Sequence, residues 1–210
     1  MKIAIDGPAG AGKSTVGRAI ADAFSCIFIN TGAMYRAVAL GLERGLTLEQ
    51  IQIDVTPDER IVLNGKDVTS ELYTAEIDEL SSKVATRADI RERLVQLQRQ
   101  IAHHQDVVME GRDIGTVVLP DADVKIFLTA SAEERARRRI RDRQGCETYE
   151  EILKKIRERD ERDSRGFNRM QTTPQTLVIP TDCRTLDEVT REVLQHISER
   201  LKGRKKLGKL

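Results

Sequence analysis

Nine residues near the start of the chain, Gly7-Pro8-Ala9-Gly10-Ala11-Gly12-Lys13-Ser14-Thr15, follow directly on the short apolar run that ends at Asp6. They fit the spacing G-x-x-x-x-G-K-[ST]. Glycines let the backbone curl so that successive N–H groups converge on an anion, and a helix opening near Lys13 aims its positive end at the same place. Lys13 is then within reach of β- and γ-phosphates, and the Ser14 hydroxyl is suited to hold Mg²⁺. The strand before it and the helix after it make this a βα unit whose loop, Gly7 to Thr15, is expected to bind a nucleoside triphosphate.

Short apolar runs recur along the chain at Ile3–Ile5, Ile27–Ile29, Val107–Met109, Val124–Leu128 and Leu177–Ile179. Charged amphipathic stretches separate them, and these read as helices over Lys13–Phe24, Gly32–Arg44, Ala88–His103, Ala132–Arg143, Tyr149–Asp163 and Leu186–Leu201. Continuous apolar runs alternating with helices predict an α/β fold, a five-stranded parallel sheet with helices on both faces. Ligands then belong at the carboxyl ends of the strands. One segment breaks the rhythm. Ile51–Val55 and Arg60–Leu63 alternate apolar and polar residues, and Asn64-Gly65 precedes Lys66-Asp67-Val68. Asn-Gly between such runs predicts a small antiparallel insert near residues 50–72. It is too small to bury a core of its own.

Three further stretches carry chemistry. Asn30-Thr31-Gly32-Ala33-Met34-Tyr35-Arg36 follows the second strand and opens a helix, which suits either a second anion or a simple helix start capped by Thr31. Met109-Glu110-Gly111-Arg112-Asp113 ends the third strand; Arg112 can fork onto a phosphate and Asp113 can accept from an exocyclic amine. Arg135, Arg137, Arg138, Arg139, Arg141 and Arg143 crowd one helix, and Arg157, Arg159, Arg162 and Arg165 the next. Charge of one sign so dense repels itself unless anions or carboxylates intervene. Residues 138–160, with the link Gln144-Gly145-Cys146-Glu147, are therefore expected to form a lid over phosphates. A solvated face paired with Glu133, Glu134, Glu158 and Glu161 is the plainer alternative.

These stretches together resemble the bacterial cytidylate kinases, a branch of the P-loop nucleoside-monophosphate kinases. The likeness runs in order from residue 3 to 164 and is carried by IDGPAGAGKST, NTGAMYR, NGKDVTSEL, EGRDIGTVVLPDADVKIFLTASAEERARRR and RERDERDS. TGAMYR together with GRDIGTVV is its specific part. The resemblance implies a single kinase domain over residues 1–210 that phosphorylates CMP and dCMP from ATP with Mg²⁺. It implies Thr31, Arg36 and Arg112 at the acceptor phosphate, Ser82, Arg91 and Asp113 at the cytosine edge, and Arg159 and Asp163 at the sugar. Gly7, Pro8, Ala9, Gly10, Ala11, Gly12, Lys13, Ser14 and Thr15 would hold the ATP phosphates, with Lys13, Arg112 and Arg159 serving the transfer itself. The insert would be a shortened monophosphate-binding subdomain. The chain departs from the family at Glu110, where Asp is usual, and at Arg165-Gly166-Phe167-Asn168-Arg169, where a further Arg and a Pro-Leu pair are usual.

Composition narrows the alternatives. The formal net charge of the 210 residues is +1 and aromatic residues are 3%, so neither a polyanion-binding field nor a base-stacking platform is indicated. No nucleic acid partner is expected, although an RNA-associated nucleotide switch using the arginine helices is the rival from another class, and a kinase for another small anion is the rival within the class. Cys26, Cys146 and Cys183 form no C-x-x-C pair, and His103, His104 and His196 have no partners at ligand spacing, so neither disulfides nor a protein-built metal site is expected. No apolar run approaches the ~18 residues of a membrane span, and no leader is visible. A cytoplasmic protein is expected, and a monomer. The basic residues from Gly203 to Leu210 read as a frayed end.

Overall fold

The computed structural model describes residues 1–142, 147–165 and 170–207. In chain order the elements are β1 (Lys2–Asp6), α1 (Lys13–Phe24), β2 (Ile27–Asn30), α2 (Thr31–Glu43), β3 (Ile53–Val55), β4 (Ile61–Leu63), β5 (Lys66–Asp67), α3 (Ala75–Val84), α4 (Ala88–His104), β6 (Val107–Gly111), β7 (Val124–Thr129), α5 (Ala132–Asp142), α6 (Tyr149–Arg165), β8 (Thr176–Pro180) and α7 (Leu186–Leu207). Among the described residues five strands form one parallel sheet in the order β2-β6-β1-β7-β8. β1 lies at its centre, so the loop that follows β1 opens over the middle of the sheet.

Both faces of the sheet are covered at the central strands β1 and β6, which is why these read as continuous apolar runs, while Val178 on the edge strand β8 is exposed. Side chains alternate along each strand. Ala4, Ile29, Val107 and Met109 pack with α2, α3 and α4 on one side. Ile3, Ile5, Phe28, Val108, Val124, Ile126 and Leu128 pack with α1 and α7 on the other. Val189, Val193 and Ile197 of α7 are buried there at helical spacing. The insert is an antiparallel sheet of β3, β4 and β5. Asn64 and Gly65 take φ of 50° and 82°, the left-handed pair that a tight hairpin turn needs. Its Ile53, Ile61 and Leu63 join the α2 side of the main core, so it is stabilised by the domain it interrupts.

Three features differ from the sequence reading, the first being that α7 continues to Leu207 where a frayed end was expected from Gly203. The segment after the insert contains a helix that the reading left out, α3. A π-helical turn over Ile114–Val118 follows β6. The expected positions of Arg143, Gln144-Gly145-Cys146, Gly166-Phe167-Asn168-Arg169 and the last three residues lie outside the described residues. No described helix is long and apolar enough to cross a membrane.

Candidate active site

A cavity of about 870 Å³ opens at the carboxyl ends of the sheet strands, between the phosphate loop, α2, α3 and the arginine helices. The loop's shape explains its glycines. A Cβ at Gly7 would lie 2.1 Å from the Leu128 carbonyl oxygen of the neighbouring strand, so only glycine lets the chain leave β1 there. Gly12 precedes α1 at φ 92°, and no side chain caps the helix. The first N–H groups of α1 are thus left for a ligand. Lys13 is buried, with its Nζ donating to the Pro8 carbonyl at 2.9 Å. Burial, and then the Arg112 charge, push its amine down to about 7.

Beside the loop, the Ser14 hydroxyl donates to Glu110 Oε1 at 2.6 Å, while Glu110 Oε2 is buried without a partner. A hydroxyl and a carboxylate with a spare oxygen are the hard donors Mg²⁺ selects. No group of three or more His, Cys, Asp or Glu that could hold a metal ion occurs among the described residues. The longer Glu110 reaches the Ser14 hydroxyl from the end of β6.

Asn30, and not Thr31, caps α2, accepting from Ala33 N at 3.1 Å. The Thr31 hydroxyl instead donates to the Glu110 carbonyl at 2.7 Å, tying α2 to the end of β6. Arg36 reaches across to Asp78 of α3 at 2.8 Å. Arg112 donates from Nε to Asp163 Oδ2 at 2.8 Å and from a terminal nitrogen to the Gly7 carbonyl at 3.1 Å. Arg112 therefore spans the phosphate loop and α6.

The expected base-contacting residues are also gathered. Asp113 pairs with the buried Arg91 of α4. Burial pushes the Asp113 carboxyl up, against the pull of Arg91. Tyr35 accepts from Arg91, and burial pushes its hydroxyl up to about 12. The Ser82 hydroxyl is buried with no partner, an orphan at the cavity wall that a ligand polar group would satisfy. Ser82 and Asp113 line the cavity, whereas Arg91 stands outside its wall, pairing with Asp113.

The arginine helices are not bare positive charge. Arg135 forks onto Asp160 at 3.0 and 2.5 Å, Arg157 pairs with Glu133, and Glu134 takes Arg137, Arg138 and Arg141. Ala136, Ile152 and Ile156 form a small core between α5 and α6. Arg135 and Arg138 also reach carbonyls of Ala9 and Gly10 at 3.4 Å each, so the base of α5 is seated on the phosphate loop. Arg159 was expected at the sugar; here it joins Arg36 and Arg139 around Asp78. Asp163, its expected companion, lies at Arg112.

Three contributors escaped the sequence reading. Asp6 accepts from the backbone N–H groups of Ile114 and Gly115 at 2.7 and 2.8 Å and so pins the turn that presents Asp113. Burial pushes its carboxyl up to about 6. Asp78 gathers arginines. Thr181, Cys183, Arg184 and Thr185, after β8, line the cavity; their only signal was position at the end of a sheet strand.

A family model for cytidylate kinase matches residues 3–199. The chain is 44% identical to the cytidylate kinase of Carboxydothermus hydrogenoformans, covering 95% of this chain and 98% of that one. It is 45% identical to the cytidylate kinase of Caldanaerobacter subterraneus subsp. tengcongensis, covering 97% of each. Among solved structures, a gluconokinase from Sinorhizobium meliloti 1021 superimposes with a TM-score of 0.56 at 19% identity, covering 98% of this chain and 96% of that one. A shikimate kinase from Acinetobacter baumannii in complex with shikimate superimposes with a TM-score of 0.51 at 17% identity, covering 94% and 93%. These two likenesses concern the fold.

Proposed function

The chain belongs to the cytidylate kinase family, and on that premise we propose how its residues carry out the ATP-dependent phosphorylation of CMP, with dCMP as a second acceptor. The observation that carries the assignment of residues is that one cavity joins a phosphate loop to the Ser82–Asp113 wall, where a buried hydroxyl lacks a partner. Ser82 and Asp113 hold the cytosine edge, and Arg91 holds Asp113 in place. Arg36, Arg112 and Arg159 hold the acceptor phosphate, with Thr31 fixing the start of α2. Asp163 orients Arg112 and stands toward the sugar.

An oxygen of the CMP phosphate attacks the γ-phosphorus of ATP. The new O–P bond forms as the bond from that phosphorus to the β,γ-bridging oxygen breaks, leaving CDP and ADP. The attacking oxygen is already ionised at neutral pH, so no general base is needed. The protein supplies alignment and positive charge. The phosphate loop fixes the donor, and Lys13 leaves the Pro8 carbonyl to meet the β- and γ-phosphates. Arg112 and Arg159 neutralise charge on the transferring group. Ser14 and Glu110 would hold Mg²⁺, which would supply charge neutralisation for the triphosphate. Closure of α5 and α6 excludes water and suppresses hydrolysis. We place this activity in the cytoplasm, in a monomer without a nucleic acid partner.

A coupled assay with ATP and a panel of CMP, dCMP, UMP, AMP and shikimate tests the reading. The expected result is turnover of CMP and dCMP well ahead of the rest. Preference for another acceptor would reassign the Ser82–Asp113 wall.

A further inference from the structure

Asp78 of α3 receives three arginines from three different elements. Arg36 of α2 and Arg159 of α6 donate to its Oδ1 at 2.8 and 2.9 Å, and Arg139 of α5 lies 3.5 Å from its Oδ2. The three arginines line the cavity, whereas Asp78 is not part of its wall. The carboxylate is therefore behind the guanidinium groups, as seen from a ligand. Its side chain is 14% exposed. Burial pushes its carboxyl up, but Arg159, Arg36 and Arg139 outweigh burial and hold it well below the usual range, so it is charged at any working pH.

We propose that Asp78 is a positioning residue for the acceptor, the anchor that assembles Arg36, Arg139 and Arg159 into one phosphate-binding face. Three guanidinium groups brought this close repel one another, and the buried carboxylate among them lowers that cost. A phosphate monoester, which carries about −1.5 to −2 at neutral pH, is the anion such a face suits. The hydrogen-bond count agrees. Arg36 Nε and Arg159 Nε are buried with no partner, donors that Asp78 leaves unmatched and that a phosphate with three terminal oxygens can take. Asp78 also ties α5 and α6 to α3, so the face is complete only when the arginine helices lie over the acceptor side.

This inference rests on the CMP reading, and its test separates the two. The variants are Asp78→Asn, which keeps shape and removes charge, and Asp78→Glu, which keeps charge. Wild-type turnover of CMP tests the reading alone; calorimetric binding of inorganic phosphate tests the arginine face whatever the nucleotide. Asp78→Asn is expected to raise the KM for CMP and the Kd for inorganic phosphate about 10- to 100-fold, the scale of losing charge-assisted hydrogen bonds. The KM for ATP should move less than about threefold, and Asp78→Glu should recover part of the loss. Unchanged phosphate binding overturns the proposal. Tighter phosphate binding also overturns it, since the carboxylate would then be competing with the ligand. So does a parallel rise of both KM values with a fallen Tm, or failure of Asp78→Asn to fold, because Asp78 would then serve the fold alone.

Discussion

The amine of Lys13 meets opposite surroundings among its own protein neighbours and against a bound triphosphate. Among its protein neighbours, burial and the Arg112 charge push it down to about 7. A bound triphosphate surrounds it with negative oxygens and returns it toward its ordinary value of about 10.4. At about pH 8, an amine held at about 7 carries a proton roughly a tenth of the time, whereas the filled site keeps it charged. Binding at that pH should thus take up protons. By the same linkage, each pH unit above that value of about 7 weakens triphosphate binding about tenfold, until the bound-state value is reached. Below it the lysine is charged in both states and the dependence vanishes. Calorimetric titration with a non-hydrolysable ATP analogue, in two buffers of different ionisation heat at about pH 8, reads the uptake directly. Lys13→Met should abolish it and lower turnover by at least ~10²-fold, the usual scale for a lost transition-state contact. Buffer-independent heat in the wild type, or an undiminished uptake in the variant, would refute the reasoning.

Asp113→Ala should lower kcat/KM for CMP on the order of 10²-fold and narrow the gap to UMP, because a site built around a substrate amine discriminates by leaving its own groups unpaired; equal losses for both nucleotides would assign Asp113 to structure. Asp6→Asn should weaken the fold on the order of 1–3 kcal/mol through its two backbone bonds. Because burial pushes the Asp6 carboxyl up to about 6, its contribution is fully present below the unfolded value of about 4 and declines as pH rises toward about 6. In urea melts the deficit of Asp6→Asn should therefore be larger at about pH 4.5 than at about pH 7, and a pH-independent deficit would count against a raised carboxyl. Amides of α5 and α6 should gain hydrogen-exchange protection with ATP analogue plus CMP while β7 changes little; stronger protection by RNA, with none from the nucleotide pair, would favour the nucleic-acid reading.

The sheet was legible because its strands are short apolar runs, β1 and β6 buried on both faces and the edge strand β8 with Val178 exposed, and the start of α1 was legible from the glycine spacing. The hairpin was legible from Asn64-Gly65. The helix α3 was not. Its Ile77, Leu80 and Val84 are too few, and follow too closely on the insert, to stand out from a loop. Asp78 on that helix was invisible for a second reason. It is one of 34 acidic residues, and its three arginines come from 42 to 81 positions away. The same distance problem hid the Arg112–Asp163 pair, 51 positions apart. Sequence spacing reports what one element presents to its neighbours along the chain. Contacts made by closing a fold over a cavity leave no such trace.

The pairing of β1 with β6 sets Asp6 directly beside Gly111. One residue beyond Asp6 begins the loop we assign to the donor, and one beyond Gly111 begins the segment we assign to the acceptor. The span between the two reactants is thus a matter of strand register. A slip of a single residue would shift the halves by about 3.3 Å and turn every buried side chain to the wrong face. Reacting atoms must approach within about 3–3.5 Å, so a one-step slip consumes the whole tolerance. Val108 and Met109, which touch no reactant, are nevertheless part of how the reaction is aimed: by choosing which face each takes, they forbid the slip.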